Sequence, residues 1–176
     1  MTVSRNFLIE FYLGQRPDSA GRMIDEILVW DDELLEDTHD YIQWLFPLWE
    51  RSAYNATAPL LDEACVQAFR SSEELRARLK SSFSVLLKFY GFTRKEENGK
   101  VIISRSPMFL EKAKNWLTPR NHNFLRITRT LKCLTVLGLP DDAVAFERAL
   151  EGVYGEYRVI IGKETLKYWR EAAFSS

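Results

Sequence analysis

Histidine and cysteine are scarce: the 176-residue chain holds two of each, His39 and His122, Cys65 and Cys133. Two cysteines cannot make a disulfide framework, and each sits in a helical pattern beside apolar neighbours, so both read as buried free thiols. A nucleophile pair of either thiol with a histidine would meet only in the fold, and a core thiol is much the commoner role. His39-Asp40 invites comparison with metal-dependent phosphohydrolases, which need further histidines; neither histidine here has a ligand-spaced Cys or His partner. Glycine-rich phosphate loops, a G-x-S-x-G elbow and C-x-x-C are all missing. The chain therefore reads as non-enzymatic, with no metal and no cofactor. No segment approaches the roughly 20 uninterrupted apolar residues of a membrane span. The opening MTVSRNFLIEFYLG is broken by Glu10 and has no A-x-A-like cleavage site. These absences predict a soluble cytoplasmic protein without a membrane span, with a nuclear location open to a eukaryotic chain.

What the chain does have is apolar and aromatic mass. Hydrophobic residues make up 46% and aromatics 13%, which excludes a disordered chain. The length suits one sizeable core, so a single domain over 1–176 is expected. The net charge of −1 hides an asymmetry. Residues 1–69 carry 4 Lys/Arg against 13 Asp/Glu, residues 70–132 carry 15 against 5, and residues 133–176 carry 5 against 7. A basic middle third suits a polyanion or nucleic acid. The plainer reading, which we favour, is solvated polar faces of amphipathic helices.

The stretch HDYIQWLFPLW, 39–49, concentrates two tryptophans, an aromatic-aliphatic run and a histidine. At about 100° per residue, Leu35, Ile42 and Phe46 fall on one line with His39 beside them, which predicts one central helix ended by Pro47 and capped by Asp31 or Asp32. Trp44 points the opposite way, among Glu33, Asp37 and Asp40, so the helix is packed on two sides or offers a tryptophan to a partner; the first reading is favoured.

Along the chain, Phe7 to Leu13 is extended or helical, and Met23, Ile24, Ile27 and Leu28 fit a helix. Ser52 to Pro59 is a loop in which Asn55 bonds the local backbone. Leu60, Leu61, Ala64, Cys65, Ala68 and Phe69 repeat at helical spacing. Ser71 with Glu74 reads as a capping box opening a helix with the stripe Leu75, Leu79, Phe83, Leu86 and Tyr90 and an end at Gly91. Phe92 to Ser104, with Asn98-Gly99 inside it, predicts a small hairpin. Ser106-Pro107 starts a helix with Leu110, Ala113, Trp116 and Leu117 on one face. Another runs from near Asn121 or Asn123 to Gly138 with Ile127, Leu131 and Leu134 in its core line. Asp141 or Asp142 caps the next, which carries Val144, Phe146, Leu150, Val153 and Tyr154, and a last one carries Leu166, Trp169 and Ala173. The expected fold is an all-α single-domain bundle of about seven or eight helices with one small β-hairpin near 92–104.

Three blocks, HDYIQWLFPL at 39–48, FRSSEELRARLKSSFSVLLKFYGF at 69–92 and NHNFLRITRTLKCLTVLGL at 121–139, resemble in order and spacing the signature blocks of the opioid growth factor receptor conserved region. The resemblance covers roughly Phe7 to Phe174. It implies a helical domain of a family named for an animal protein described as a perinuclear and nuclear receptor for an enkephalin peptide and a negative regulator of growth. The long tails and repeats of that animal member are not expected here, and the word receptor implies no membrane span.

In the third block His122, Arg126 and Arg129 share one side of a helix at spacings of four and three, running into an apolar stripe. A guanidinium on a partly buried face needs a carboxylate, a carbonyl or a bound anion opposite it. Glu36, His39, Gln43, His122, Arg126 and Arg129 are accordingly expected to form one polar cluster, structural or ligand-binding, with an internal network favoured. Trp30, Trp116 and Trp169 read as core. The functional reading is a peptide- or protein-binding module; the alternative is a polyanion or nucleic-acid binder using Arg76, Arg78, Lys80, Arg94, Lys95 and Lys100.

Overall fold

Short helices open the chain because each is cut off by its own cap or corner. A computed structural model describes residues 6–52 and 55–174. Among them are ten helices and one antiparallel hairpin: α1 Phe7–Tyr12, α2 Ile24–Ile27, α3 Asp32–Asp37, α4 Ile42–Leu45, α5 Glu63–Ser71, α6 Glu73–Tyr90, β1 Phe92–Glu97, β2 Lys100–Arg105, α7 Phe109–Trp116, α8 Asn123–Val136, α9 Pro140–Ile161 and α10 Lys163–Phe174. The fold is all-α with one small hairpin, as the periodicity predicts, with more and shorter helices than the expected seven or eight. The chain divides into two units, Met1–Ser82 and Phe83–Ser176, the boundary falling inside α6.

In the first unit α1 is a helix because Asn6 Oδ1 accepts from the Leu8 and Ile9 N–H groups at 3.1 and 3.4 Å. The expected central helix is two helices, α3 and α4. Asp31 caps α3, its Oδ1 accepting from Leu34 N–H at 2.9 Å. Thr38 then turns extended, with φ −91° and ψ 128°. The Leu35 carbonyl, which a continuing helix would join to the residue 39 N–H, instead accepts from the Tyr41 hydroxyl at 3.1 Å. A wheel drawn through 35–46 therefore fails at the break, and His39 is exposed rather than core-facing.

Trp44 is covered, as the two-sided packing reading requires, with 7% exposure and its ring edge-on to Phe11 at 5.1 Å between centroids. Tyr12 reaches from α1 to donate to the Leu45 carbonyl and meets Phe69 of α5 at 4.8 Å. Leu60 and Leu61 are not helical. Leu60 bridges Leu48, and Asp62 caps α5 by accepting from Cys65 N–H at 2.7 Å. The cap of α6 is Ser72 rather than Ser71: its Oγ accepts from Leu75 N–H at 3.2 Å, while Ser71 still belongs to α5. Asn55 Oδ1 accepts from Thr57 N–H at 3.1 Å, while residues 53 and 54 of that loop lie outside the described residues.

The second unit is built on rings. Tyr90 and Phe92 each meet both Trp116 and Phe146, with Phe92–Phe146 at 5.7 Å and Tyr90–Trp116 at 5.5 Å. Each well-oriented aromatic pair adds about 0.5–1.5 kcal/mol beyond its buried area. The indole N–H groups are satisfied: Trp116 Nε1 donates to the Tyr90 carbonyl and Trp169 Nε1 to that of Phe124, both at 3.1 Å. Both tryptophans are fully buried, as expected of core residues. The hairpin closes on Asn98 and Gly99, at φ 52° and 73°, the left-handed pair a two-residue turn requires. Helix α7 begins at Phe109 rather than at Pro107, and Leu110 is 70% exposed while Phe109 takes its expected place in the core. Ile127, Leu131 and Leu134 form the core line of α8. Pro140, not an aspartate cap, opens α9.

Candidate functional site

Asp142 is 2% exposed because it has another task than capping. Arg94 of β1 grips it through Nε at 2.5 Å and Nη2 at 3.2 Å, a two-pronged pair that fastens the hairpin to α9. The hydrogen bond to Asp142 raises the Arg94 pKa against the opposing effect of burial. Two residues along the ladder, at the hairpin's open end, Arg105 reaches Glu156 at 2.7 Å and the Gly152 carbonyl at 3.4 Å.

These pairs bear on the basic residues of the polyanion reading. Arg94 is committed to Asp142. Arg78 pairs with Asp25 at 2.5 Å, and Arg76 donates to the carbonyls of Phe69, at 3.2 Å, and Arg70. Lys95 and Lys100 are exposed and Lys80 half-buried. Three of the six cations are thus spent inside their own units, which removes support for a nucleic-acid partner.

The six residues of the expected polar cluster fall in both units. In the first, His39 is exposed, Glu36 half-buried and Gln43 6% exposed. Swapping the oxygen and nitrogen of the Gln43 amide lets the nitrogen donate to the Asp40 and His39 carbonyls, at 3.0 and 3.3 Å. The arginine that organises this region is Arg22, which the sequence reading missed. Its Nη2 lies 2.7 Å from Asp18 and 2.9 Å from Asp40, and its guanidinium sits over Trp30. Burial works against that charge, and the hydrogen bonds to Asp18 and then Asp40 more than offset it, leaving the Arg22 pKa raised. The four-residue spacing from Asp18 to Arg22 was the only signal.

In the second unit His122 is exposed, Arg129 half-buried and Arg126 6% exposed. Arg126 Nη1 donates to Asn123 Oδ1 at 3.4 Å, and the Tyr90 hydroxyl donates to the same oxygen at 3.4 Å. Asn123, itself fully buried, is the hub of this network, bonding Asn121 Oδ1 through its backbone and side-chain nitrogens at 2.9 and 3.0 Å. Sequence reasoning passed over it because an asparagine near a helix start reads first as a cap.

Both cysteines are buried and neither is in a disulfide. Burial, then the nearby Asp62, pushes the Cys65 thiol up to about 12, so the thiolate a nucleophile needs is strongly disfavoured at neutral pH. Among the described residues no group of three His, Cys, Asp or Glu is placed to hold a metal ion.

Beside β2 lies an open groove of about 440 Å³. Lys100, Val101 and Ile102 of β2 form one wall, Val144, Ala145 and Arg148 of α9 the other. Gly99 and Asp141 close its end. Apolar residues line its length and both signs of charge stand at its rim, a composition suited to binding.

The fold defines an all-helical protein carrying a single two-stranded hairpin, and among the described residues no helix is long and apolar enough to cross a membrane. Residues 3–170 match the family described as the opioid growth factor receptor (OGFr) conserved region, and the chain belongs to that family. It is 44% identical over 122 residues, 68% of its length, to the opioid growth factor receptor of Rattus norvegicus, and 43% identical over the same length to that of Homo sapiens. Opioid growth factor receptor-like protein 1 of Xenopus tropicalis is 39% identical over 134 residues, 74% of the chain. The matched stretch spans only 20%, 18% and 25% of those relatives. No solved structure matches the chain.

Proposed function

We propose that this chain is a non-enzymatic module that binds a peptide or a protein segment. The observation that carries the reading is the groove between β2 and α9, concave, apolar along its walls and charged at its rim. The mammalian relatives are named receptors for an opioid growth factor, which fits a peptide partner. The internal pairing of Arg76, Arg78 and Arg94 argues against a phosphate-tracking surface as the main function.

The test is a selection of displayed random peptides on the whole folded chain, followed by titration of the enriched peptides, synthesised, across a salt series. Binding that survives raised salt is expected, because contacts in an apolar groove respond weakly to ionic strength while phosphate-driven binding falls steeply. Failure to enrich any peptide, with heparin binding that collapses as salt rises, would reverse the assignment in favour of a polyanion binder.

A further inference from the structure

We propose that the bound segment is extended and adds to the outer edge of β2 as a third strand, with a carboxylate set between Lys100 and Arg148. This rests on the peptide-binding reading and adds where and how the peptide sits.

The register supplies the first reason. A two-residue turn makes Glu97 and Lys100 a hydrogen-bonded pair, and antiparallel alternation then makes Lys95–Ile102 and Thr93–Ser104 bonded pairs as well. The N–H and C=O groups of Val101 and Ile103 therefore point away from β1. The sheet has two strands only, and among the described residues these outward groups have no hydrogen-bond partner. Val101 also lines the groove, so an unsatisfied strand edge borders the concavity.

Sequence decides which edge is offered. The outer edge of β1 runs through Arg94, Lys95, Glu96 and Glu97, the consecutive charges that keep an edge from pairing. By contrast β2 carries Val101, Ile102 and Ile103 in succession, with Ile102 43% exposed, Val101 half-buried and Ile103 packed inward at 8%. An apolar edge of this kind is a template for another strand.

Charge supplies the carboxylate. Lys100 and Arg148 are both exposed, and neither is in an ion pair among the described residues, although Arg148 feels the Glu147 carboxylate. The only acid lining the groove is Asp141, so its rim is net positive. A glutamate, an aspartate or a free C-terminus on the added strand complements it.

The experiment uses the synthetic peptides from the selection on the full chain. Val101→Pro removes the outward N–H without breaking a ladder bond to β1, and Arg148→Glu reverses one rim charge on an exposed side chain. Each variant is expected to weaken peptide binding about tenfold or more, the effect of losing one to two hydrogen bonds or a charge contact. N-methylation along the peptide is expected to abolish binding at alternate positions and spare those between, the period of a strand. Should Val101→Pro fail to fold by circular dichroism, Arg148→Glu and the methylation pattern decide. Peptides that bind both variants as tightly as the parent, or show no alternation, would overturn the strand site while leaving a binding module standing. A selection that enriches nothing removes the binding reading itself. Chain dimerisation lost in Val101→Pro, without peptide binding, would assign the edge to a second copy and overturn the proposal.

Discussion

Among single residues, Glu147 is the buried acid whose environment most opposes its charge. It is 2% exposed in α9, with Arg170 Nε no closer than 3.7 Å, while Arg170 pairs more tightly with Glu151. Burial first, and then the Glu151 carboxylate, push its pKa up to about 7, and the more distant attraction of Arg170 offsets this only in part. A carboxyl whose pKa is raised by folding favours the folded state while protonated. Stability should therefore decline as pH rises from about 4.5 to about 7. Glu147→Gln should flatten that slope and melt above the parent at pH values beyond about 7. Melting temperature against pH for the two chains checks it, and parallel curves would show that Glu147 carries no such burden.

The tryptophans divide on the same physics. Trp116 and Trp169 bury their rings with the N–H bonded to a carbonyl, whereas Trp44 Nε1 is buried without a partner among the described residues. The cost of that unmade bond is about 1–3 kcal/mol, set against the burial of a large ring. The ring wins, since Trp44 stays covered.

Elements are joined by close approach as much as by side-chain interdigitation. Gly91, at φ +87°, ends α6 and turns the chain into β1, and a Cβ there would stand 2.8 Å from the Phe109 Cα. Backbone conformation and space both demand glycine. Gly91→Ala should cost about 1–3 kcal/mol, from the left-handed conformation together with overpacking. Gly152, inside α9 with open space around its Cα, is the control: Gly152→Ala should stabilise by about 0.5–1 kcal/mol through helix propensity. Urea denaturation of both variants measures the contrast, and equal effects would refute the close-approach account.

At the scale of the whole molecule, helices dominate and strand is confined, among the described residues, to the hairpin apart from one isolated bridge. A far-ultraviolet circular-dichroism spectrum of the whole chain should be that of a helical protein, and a sheet-dominated spectrum would contradict the fold. Its charges behave as helix-face and pair-forming groups, because the most basic stretch spends several arginines on internal acceptors and carboxylates.

The sequence by itself determined the elements whose signals are local. The apolar stripe of α6, the Asn98-Gly99 hairpin, the Gly91 stop and the core line of α8 follow from periodicity and turn chemistry within a few residues of each position. The three blocks also carried the family. Tertiary structure alone decided where long-range partners overrule local preference. The Tyr41 hydroxyl takes the Leu35 carbonyl and α3 ends, which turns His39 out to solvent. Arg94 claims Asp142, so a residue that looks like a helix cap becomes a buried counter-ion. Arg22 gathers Asp18 and Asp40, and Asn123 gathers Tyr90 and Arg126, at separations of up to 33 residues. A buried polar group must find its partner wherever the chain brings one, and no short window of sequence holds both ends of pairs such as Tyr90–Asn123, Arg22–Asp40 or Arg94–Asp142. The groove has the same origin, since β2 and the part of α9 that faces it lie about forty residues apart in the chain and form a site only once packed.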